Sequence, residues 1–438
     1  MLLEFKTKNF KMFKDDTTFS MIPAPKIKDL DYSVLKASVG KKQYKGLSSA
    51  VIYGPNAAGK TNILSAIDVF KSIVLKGSIR NGDYTSVSPN ETVKSLELIP
   101  NASYKEAHPV EFRIKFIDKG FLYNYGITID LGVFLDTDYD RSILEESLYI
   151  NEKMIFERTD TLTIGDVIGF SSMLVSAFDS SVSEKMAQSN LNKKELFLTG
   201  LFKSLYSAEI VNNITDWFRN KCNVYLEANH MVLNPRFDNE DTNQVFVNDT
   251  INQAIEQFGI HGNKIAYIKS KDNDNFTPYS VFDNGRAVPV RAFESYGTQR
   301  FLNSFPVIFD TLKNGATLIV DEFDASIHPM VLMSIIGAFH NDEINKNGAQ
   351  LIFNTHNPIF LNRNLFRRDE IKFVDKDDDT GVSIHYSLSD FGTSGPNGVR
   401  NTEDYMKNYF VSRYGSIRNV DFSDLLKERM ESAVNEKG

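Results

Sequence analysis

One octapeptide constrains the fold of this chain more than any other feature. It fits the pattern G-x-x-x-x-G-K-[ST] and consists of Gly54, Pro55, Asn56, Ala57, Ala58, Gly59, Lys60 and Thr61. Small residues in such a loop let backbone N–H groups surround a phosphate, and the positive end of the following helix adds to the attraction. We expect a buried strand over 48–53, a helix from Thr61, and a phosphate-binding loop between them. Lys60 should reach the β- and γ-phosphates, and Thr61 should offer its hydroxyl to Mg²⁺.

A second feature is an apolar run that ends in two carboxylates, Thr317-Leu318-Ile319-Val320-Asp321-Glu322. Ligands of open α/β sheets bind where the strands end. The pattern therefore predicts that Asp321 holds Mg²⁺ and that Glu322 polarises an attacking water as a general base. Alone, this motif would also fit a strand that ends at a solvated acidic turn.

Composition and charge limit the class of protein. The 438 residues are too many for one compact core and predict two or three packed units. The formal net charge is -8, so the chain as a whole lacks the basic surface by which proteins hold nucleic-acid phosphates. Any nucleic-acid binding must be local, conditional or a partner's.

The N-terminal sequence predicts a cellular location, and the cysteine content excludes two kinds of site. The first residues, MLLEFKTKNFKMF, alternate like a strand and lack the apolar block of a signal peptide, so we expect a cytoplasmic protein. A single cysteine, Cys222, excludes an internal disulfide and a cysteine-based zinc cluster. We expect it to be a buried bystander.

Periodicity divides the chain into three parts. Residues 1–155 contain the octapeptide and an alternating, aromatic stretch over 110–150 that predicts an antiparallel β layer. Residues 156–260 contain amphipathic stretches such as KELFLTGLFKSLYSAEIVNNITDWF and predict an inserted helical lobe. Residues 261–438 begin with the strands KIAYIKS, YSVFDN and AVPVRAF, and then alternate helices with strands, which predicts a parallel sheet.

A third motif, Glu294-Ser295-Tyr296-Gly297-Thr298-Gln299-Arg300, precedes an apolar helix through Leu312. By itself it would fit a serine-capped helix. Before the strand that ends in Asp321, it resembles the signature of ABC-class ATPases in its RecF and SMC-like form. The following Asp324-Ala325-Ser326-Ile327-His328-Pro329 resembles the D-loop of that class, and the strand GAQLIFNTH delivers His356 where the class has its H-loop histidine.

The resemblance implies an α/β fold, an ABC-type ATPase head with a P-loop parallel sheet and an antiparallel β layer. It implies ATP and Mg²⁺ as ligands, with His356 at the γ-phosphate. In such a head the signature serine cannot reach its own P-loop. The resemblance therefore implies a head-to-tail pair in which Ser295 and the amide of Gly297 meet the nucleotide of the other copy. It also implies that the D-loop residue Asp324 binds nucleotide. Larger assemblies satisfy the same motifs.

The chain departs from the class at one point. The class places a Q-loop glutamine between the P-loop helix and the helical lobe, but no glutamine occurs between Gln43 and Gln188. Glu111, Glu145 and Glu146 are the candidates to replace it, and the sequence does not choose among them.

A narrower resemblance lies near the C-terminus, in NTHNPIFLN, EIKFVDKD, HYSLSDF and the stretch Tyr409-Phe410-Val411-Ser412-Arg413-Tyr414-Gly415-Ser416-Ile417. These segments, with FESYGTQRF and DEFDASIHP, resemble the ATPase component of RloA/AbiL-type abortive-infection systems and are similar to the PARIS ATPase subunit. The resemblance implies a sensor that controls a separate TOPRIM-type or RloB-like toxic effector, with a phage protein as a candidate trigger. This chain ends soon after the ATPase motifs, which fits a separate effector.

Two other functions stay open. A DNA-maintenance ATPase of RecF type, acting on DNA ends or gaps, would need an exposed basic strip, for which Arg363, Arg367 and Arg368 are the candidates. A transporter's ATPase subunit is disfavoured because the signature and the D-loop resemble the SMC side of the class. The sequence does not decide whether ATP binding or hydrolysis is the signal, nor what the helical lobe does.

Overall fold

Strands and helices follow one another through the described parts of the chain. The computed structural model describes residues 1–25, 27, 30–80, 98–136, 139–165, 167–175, 179–227, 245–259, 262–269, 276–325, 327–393, 398–400, 402–418 and 421–435. The strands are β1 (Leu2–Lys8), β2 (Thr17–Ser20), β3 (Val34–Val39), β4 (Lys42–Leu47), β5 (Ser49–Tyr53), β6 (Val110–Asp118), β7 (Phe121–Asp130), β8 (Ser142–Ile150), β9 (Lys153–Arg158), β10 (Leu162–Ile164), β11 (Cys222–Tyr225), β12 (Val245–Val247), β13 (Asn263–Lys269), β14 (Phe276–Phe282), β15 (Ala287–Pro289), β16 (Thr317–Val320), β17 (Gln350–Asn354), β18 (Ile371–Lys376) and β19 (Ser383–Ser387). The α-helices are α1 (Lys60–Lys76), α2 (Ser180–Ser189), α3 (Lys203–Leu205), α4 (Ala208–Asp216), α5 (Asp249–Phe258), α6 (Val290–Phe293), α7 (Tyr296–Asn314), α8 (Pro329–His340), α9 (Tyr405–Phe410) and α10 (Ser423–Asn435).

Both ends of the chain contribute to one central sheet of six strands, in the order β11-β16-β17-β5-β18-β19. Its neighbours are parallel except β18 and β19. Every residue of β5, β16 and β17 is buried, because strands covered on both faces need apolar residues at every position. The segments that follow these three strands start side by side at one edge of the sheet. That edge receives Gly54, Asp321 and Thr355.

A seven-stranded antiparallel sheet forms the second layer, in the order β10-β9-β8-β7-β6-β1-β2. It shares a hydrophobic core with helix α1 and with the inward side chains of β5. The ring of Phe70 in α1 stacks on Phe112 and on Tyr125, with 5.8 Å between ring centroids in each pair. The β layer predicted over 110–150 is therefore confirmed, and it fixes the position of the helix that follows the octapeptide.

The helical segment packs against this antiparallel sheet. It contains α2, α3, α4 and two π-helical turns, Leu198–Phe202 and Trp217–Lys221. The ring of Trp217 stacks on Phe116 with 4.0 Å between centroids. Both side chains belong to the same core as α1. Burial of these aromatic rings attaches the segment to the β layer.

Parts of the predicted helical stretch are strands. Strands β10 and β12 pair with β9 and β13 in antiparallel sheets. Residues Cys222–Tyr225 form β11, which pairs in parallel with β16 at the edge of the central sheet. The sequence CNVY is too short to display a period, and its pairing partner lies far along the chain, so local pattern could not reveal it. Cys222 is buried there, as expected. The division of the chain at 155 and 260 stays a prediction.

Two smaller sheets complete the fold. Strands β3 and β4 form a hairpin, and β12 to β15 form a four-stranded antiparallel sheet that packs with α5 against α7. The sequence AVPVRAF was expected to be one strand, but only Ala287–Pro289 is, and Val290–Phe293 forms α6. Proline lacks the N–H that would continue the ladder beyond Pro289.

The fold class predicted from the sequence is confirmed. The chain has an α/β fold that combines a central, mostly parallel sheet with an antiparallel β layer and a helical segment packed on that layer. Within the described ranges, no helix has the length and apolar character needed to cross a membrane.

Candidate active site

The octapeptide forms a tight loop between β5 and α1, as predicted. At Gly54 the loop passes so close to β18 that a Cβ atom would lie 2.2 Å from the carbonyl oxygen of Val374. Gly59 has φ +103°, in the region that favours glycine. The Ser383 hydroxyl donates a 2.6 Å hydrogen bond to the carbonyl of Ala58. Both glycines are therefore required by the backbone path, and β19 holds the loop from outside.

Lys60 lies at the start of α1 and is only 6% exposed. Its ammonium donates hydrogen bonds of 2.7 Å to the carbonyl of Gly54 and 3.0 Å to that of Pro55. Burial lowers the pKa of Lys60 to about 8, and the nearby carboxylates of Asp321 and Glu322 oppose this shift. The charge of Lys60 is thus held inside the loop, and a bound phosphate would compensate it.

Asp321 and Thr61 are far apart in the sequence but are hydrogen-bonded in the structure. Asp321 is buried after β16 and accepts a hydrogen bond from the Thr61 side chain. Burial raises the pKa of Asp321, whereas the hydrogen bonds from Thr61 and Asn354 oppose that rise. A carboxylate beside a hydroxyl suits Mg²⁺, which prefers oxygen ligands and commonly takes one or two from protein while phosphates and waters supply the rest. No group of three or more His, Cys, Asp or Glu side chains suited to a metal occurs in the described part of the chain.

The side chain of Glu322 is exposed in the cleft, whereas its backbone N–H and its backbone carbonyl are both hydrogen-bonded. Its N–H donates a 2.6 Å hydrogen bond to Oδ1 of Asn354. Its carbonyl accepts a 2.6 Å hydrogen bond from the guanidinium of Arg300. The residue has φ +48°, a left-handed conformation that is uncommon for glutamate. The two hydrogen bonds hold this backbone conformation, which directs the carboxylate into the cleft.

His356 follows the end of β17 and lines the same cleft. Burial and the charge of Lys60 lower the pKa of His356, whereas the carboxylates of Glu322, Asp324 and Asp321 raise it. The preceding Thr355 is fully buried, and its hydroxyl accepts a hydrogen bond of 2.9 Å from the N–H of Asn357. A largely neutral imidazole at the mouth of the cleft can donate a hydrogen bond to a bound anion.

These side chains surround a cavity of about 400 Å³, which is of the size that small-molecule ligands occupy. The lining residues are Met12, Asn56, Ala57, Ala58, Gly59, Lys60, Thr61, Asn62, Asp321, Glu322, Asn354, His356 and Lys376. Met12, Asn62, Asn354 and Lys376 were not found by sequence reasoning. Asn354 ends β17 and Lys376 ends β18, and this placement at the sheet edge is the signal that could have identified them. Asn62 follows the octapeptide in α1, and Met12 lies in the loop between β1 and β2.

The signature residues lie elsewhere. The hydroxyl of Ser295 accepts a hydrogen bond of 3.2 Å from the N–H of Thr298 and caps α7. Neither Ser295 nor Gly297 is among the described residues that line the cavity. Asp324 is half-buried, and Ser326 of the same loop lies outside the described residues. The nucleotide-binding roles predicted for these residues stay predictions.

The three candidates for the Q-loop position do not line the cavity either. Glu146 is fully buried in the β layer and accepts hydrogen bonds from the N–H groups of Phe197 and Leu198, at 2.6 and 2.8 Å. The carboxylate of Glu145 accepts a hydrogen bond from the hydroxyl of Thr128. Oε1 of Glu111 lies 3.7 Å from Nζ of Lys8. Glu146 anchors the helical segment to the sheet, and the choice of a residue for the Q-loop position stays open.

Two of the arginines considered for a basic strip are buried. Arg367 forms an ion pair of 2.9 Å with Asp369. Arg368 donates hydrogen bonds to the carbonyls of Gly392 and Val399, at 2.8 and 2.6 Å. Their charges are used inside the protein, so the expectation that they could form an exposed nucleic-acid strip is wrong.

Comparison with known proteins gives one family model and several solved structures. A family model described as "AAA domain, putative AbiEii toxin, Type IV TA system" matches residues 49–168 and 188–362. No curated protein matches the chain.

Among solved structures, the SMC head domain from Thermotoga maritima aligns over 88% of this chain and 98% of its own, with 13% identity and a TM-score of 0.35. The SmcHead bound to the C-winged helix domain of ScpA covers 88% and 97%, with 15% identity and a TM-score of 0.37. The Smc head domain with an extended coiled coil, bound to the C-terminal domain of ScpA derived from Pyrococcus furiosus, covers 88% and 96%, with 16% identity and a TM-score of 0.36.

Proposed function

The chain belongs to the AAA-domain family whose description names the AbiEii toxin, and from that membership and its cleft we propose that it binds ATP with Mg²⁺ and hydrolyses the ATP. The observation that carries the proposal is the meeting of Thr61 and Asp321 in one cavity, with Lys60 and Glu322 on its walls. Lys60 and Thr61 follow β5, whereas Asp321 and Glu322 follow β16, and these two strands of one sheet are separated by β17 alone. A phosphate site, a metal site and a general base are what phosphoryl transfer to water requires.

Each residue has a task in this reaction. The backbone of the octapeptide and the N-terminus of α1 bind the phosphates. Lys60 exchanges the carbonyls of Gly54 and Pro55 for phosphate oxygens. Thr61 with Asp321 would hold Mg²⁺, which would supply positive charge to the phosphates. Glu322 takes a proton from the attacking water.

We also propose that two copies close around two ATP molecules. Ser295 and the amide of Gly297, with Asp324, then contact the nucleotide of the other copy. Support comes from the position of the first two residues away from the cavity of their own chain. ATP can drive the closure only through its higher affinity for the closed pair.

Turnover by the purified protein tests the enzymatic proposal. Wild type should release phosphate from ATP only with Mg²⁺, and Glu322→Gln should lower kcat by about 10²–10⁴ while ATP binding is kept. Glu343→Gln, an exposed glutamate after α8, serves as the matched control and should keep wild-type turnover. Undiminished hydrolysis by Glu322→Gln would remove Glu322 from its role.

At the level of the cell, we propose that the ATPase restrains or licenses a separate toxic effector of the TOPRIM or RloB-like kind during phage infection, with a phage protein as trigger. The C-terminal segments that resemble RloA/AbiL systems support this. The description of the family, which names a toxin and a type IV TA system, is in keeping with it. A cytoplasmic location is part of the proposal.

A pull-down from the native host tests the partner. Glu322→Gln, loaded with ATP and Mg²⁺, should retain the effector, because its closed pair does not reopen. Lys60→Ala serves as the comparison, since it should not close. Mass spectrometry of the bound proteins and nuclease digestion of bound nucleic acid identify the partner. Retention of a TOPRIM or RloB-like protein by Glu322→Gln supports the regulatory role.

The alternative, a DNA-maintenance ATPase of RecF type, loses support from the structure. Burial of Arg367 and Arg368 leaves Arg363 alone among the arginines that were considered for a basic strip. The same pull-down separates the two functions. DNA recovered with replication or repair proteins, and without an effector, would favour the maintenance role.

A further inference from the structure

Asn354, the last residue of β17, contacts both acidic residues that follow β16. Its Nδ2 donates to Oδ1 of Asp321, and its Oδ1 accepts the 2.6 Å hydrogen bond from the N–H of Glu322. The side chain is 1% exposed, so water does not substitute for either hydrogen bond. One amide thus connects the predicted metal ligand with the predicted general base.

We infer that Asn354 is a positioning residue for hydrolysis, which sets the backbone of Glu322 relative to Asp321. The inference rests on the proposed ATPase function and adds a residue that the motifs do not contain. Asn354 touches neither phosphate nor water in this role. It acts through the two acids that do.

The chemistry of the two partners requires an amide at this position. A carboxylate such as Asp321 only accepts hydrogen bonds, whereas the backbone N–H of Glu322 only donates one. A side chain that bonds to both partners needs a donor and an acceptor at a similar distance from its own backbone, and the asparagine amide provides them. Aspartate in its place would keep the acceptor for Glu322 and lose the donor for Asp321. Leucine, of similar size, would lose both.

The conformation of Glu322 explains why positioning matters. A glutamate at φ +48° is held there only when its surroundings enforce it. Arg300 holds the carbonyl of Glu322, but only Asn354 holds its N–H among the described residues. Without that second hydrogen bond, the backbone can relax toward ordinary φ values and move the carboxylate. A displacement of about 1 Å in a catalytic group can cost about 10² in rate.

The test compares kcat and KM in Asn354→Leu and Asn354→Asp with wild type. We expect Asn354→Leu to lower kcat by about 10–10² with the KM for ATP within about threefold, because the general base moves while the phosphate loop is intact. Asn354→Asp should also change the concentration of Mg²⁺ needed for turnover, because its carboxylate still accepts from the N–H of Glu322 but faces the carboxylate of Asp321.

Asn345→Leu is the matched control. Asn345 is also buried and makes hydrogen bonds to the backbone of Phe339 and Ala349, but it precedes β17 and lies at the far end from the cleft. Thermal melting reports the folding cost of each variant. Asn345→Leu should melt at a lower temperature and keep the kcat of wild type per folded molecule.

Two outcomes would overturn the inference. Wild-type kcat in Asn354→Leu would show that Glu322 is positioned without Asn354. An equal loss of kcat per folded molecule in Asn345→Leu would show that the effect of Asn354→Leu is a general cost of removing a buried amide. Failure of the ATPase proposal itself is recognised separately, because wild type would then show no Mg²⁺-dependent turnover that Glu322→Gln abolishes.

Discussion

The guanidinium of Arg300 donates a 2.6 Å hydrogen bond to the main-chain carbonyl of Glu322. Arg300 lies in the first turns of α7, the helix capped by Ser295, and is 8% exposed. The predicted general base of one cleft is therefore attached to the helix whose N-terminus is expected to meet the nucleotide of the other copy. Movement of that helix would be transmitted to Glu322 through one buried hydrogen bond.

Removing this hydrogen bond should slow hydrolysis without preventing ATP binding. Arg300→Ala leaves the carbonyl of Glu322 without its donor, and we expect kcat to fall about tenfold or more because the carboxylate is less well placed. Arg291→Ala, an exposed arginine on α6, is the control and should keep full turnover. Steady-state phosphate release measures both. A larger change in KM than in kcat would indicate that Arg300 serves binding instead.

Lys60→Ala should weaken nucleotide affinity. The charged hydrogen bonds from Lys60 to phosphate are worth about 1.5–3 kcal/mol, which corresponds to a loss of roughly 10–10² in affinity. Lys346→Ala, an exposed lysine in the loop before β17, should bind ATP like wild type. Isothermal titration of the Glu322→Gln background avoids turnover during the measurement. Equal affinities in the two lysine variants would contradict the phosphate role of Lys60.

Ser295→Arg should block closure of the pair while each monomer stays folded. The larger, charged side chain stands where the nucleotide of the second copy is expected. The substitution also removes the cap of α7, at a cost of about 1 kcal/mol. Asn248→Arg removes the equivalent cap of α5 and controls for that cost. In analytical ultracentrifugation with ATP and Mg²⁺ on the Glu322→Gln background, only Asn248→Arg should form dimers. Dimers of Ser295→Arg would refute the head-to-tail arrangement.

The parts of the site that are local in sequence were predictable. The octapeptide contains the turn glycines and the start of the helix, and an apolar strand precedes it. Lys60 and Thr61 were therefore found from their spacing alone. The strand before Asp321 is apolar at every position and ends in acids, and this also is a local pattern. Parallel strands end at one edge, which is why these distant segments were correctly expected to meet.

Features that depend on tertiary contacts were not predictable. The run Arg367-Arg368-Asp369-Glu370 looks like a solvated face, yet all four side chains are buried. The carbonyls that satisfy Arg368 lie at Gly392 and Val399, and no local pattern connects them to it. Asn354 was missed for the same reason, because its partners belong to a neighbouring strand.

Because His385 on β19 is buried, we expect the free energy of unfolding to fall in mild acid. Burial, aided by the charge of Lys372, lowers the pKa of His385 to about 3, from an ordinary value near 6.5. Below about pH 6.5 the unfolded chain binds a proton that the folded chain does not, so the free energy of unfolding falls as the pH drops from 6.5 toward 3. His385→Phe removes the titrating group beside Phe19. Between pH 7.5 and 5, urea unfolding should show wild type losing about 2 kcal/mol more than the variant. Equal losses in the two proteins would mean that His385 takes up its proton in the folded state.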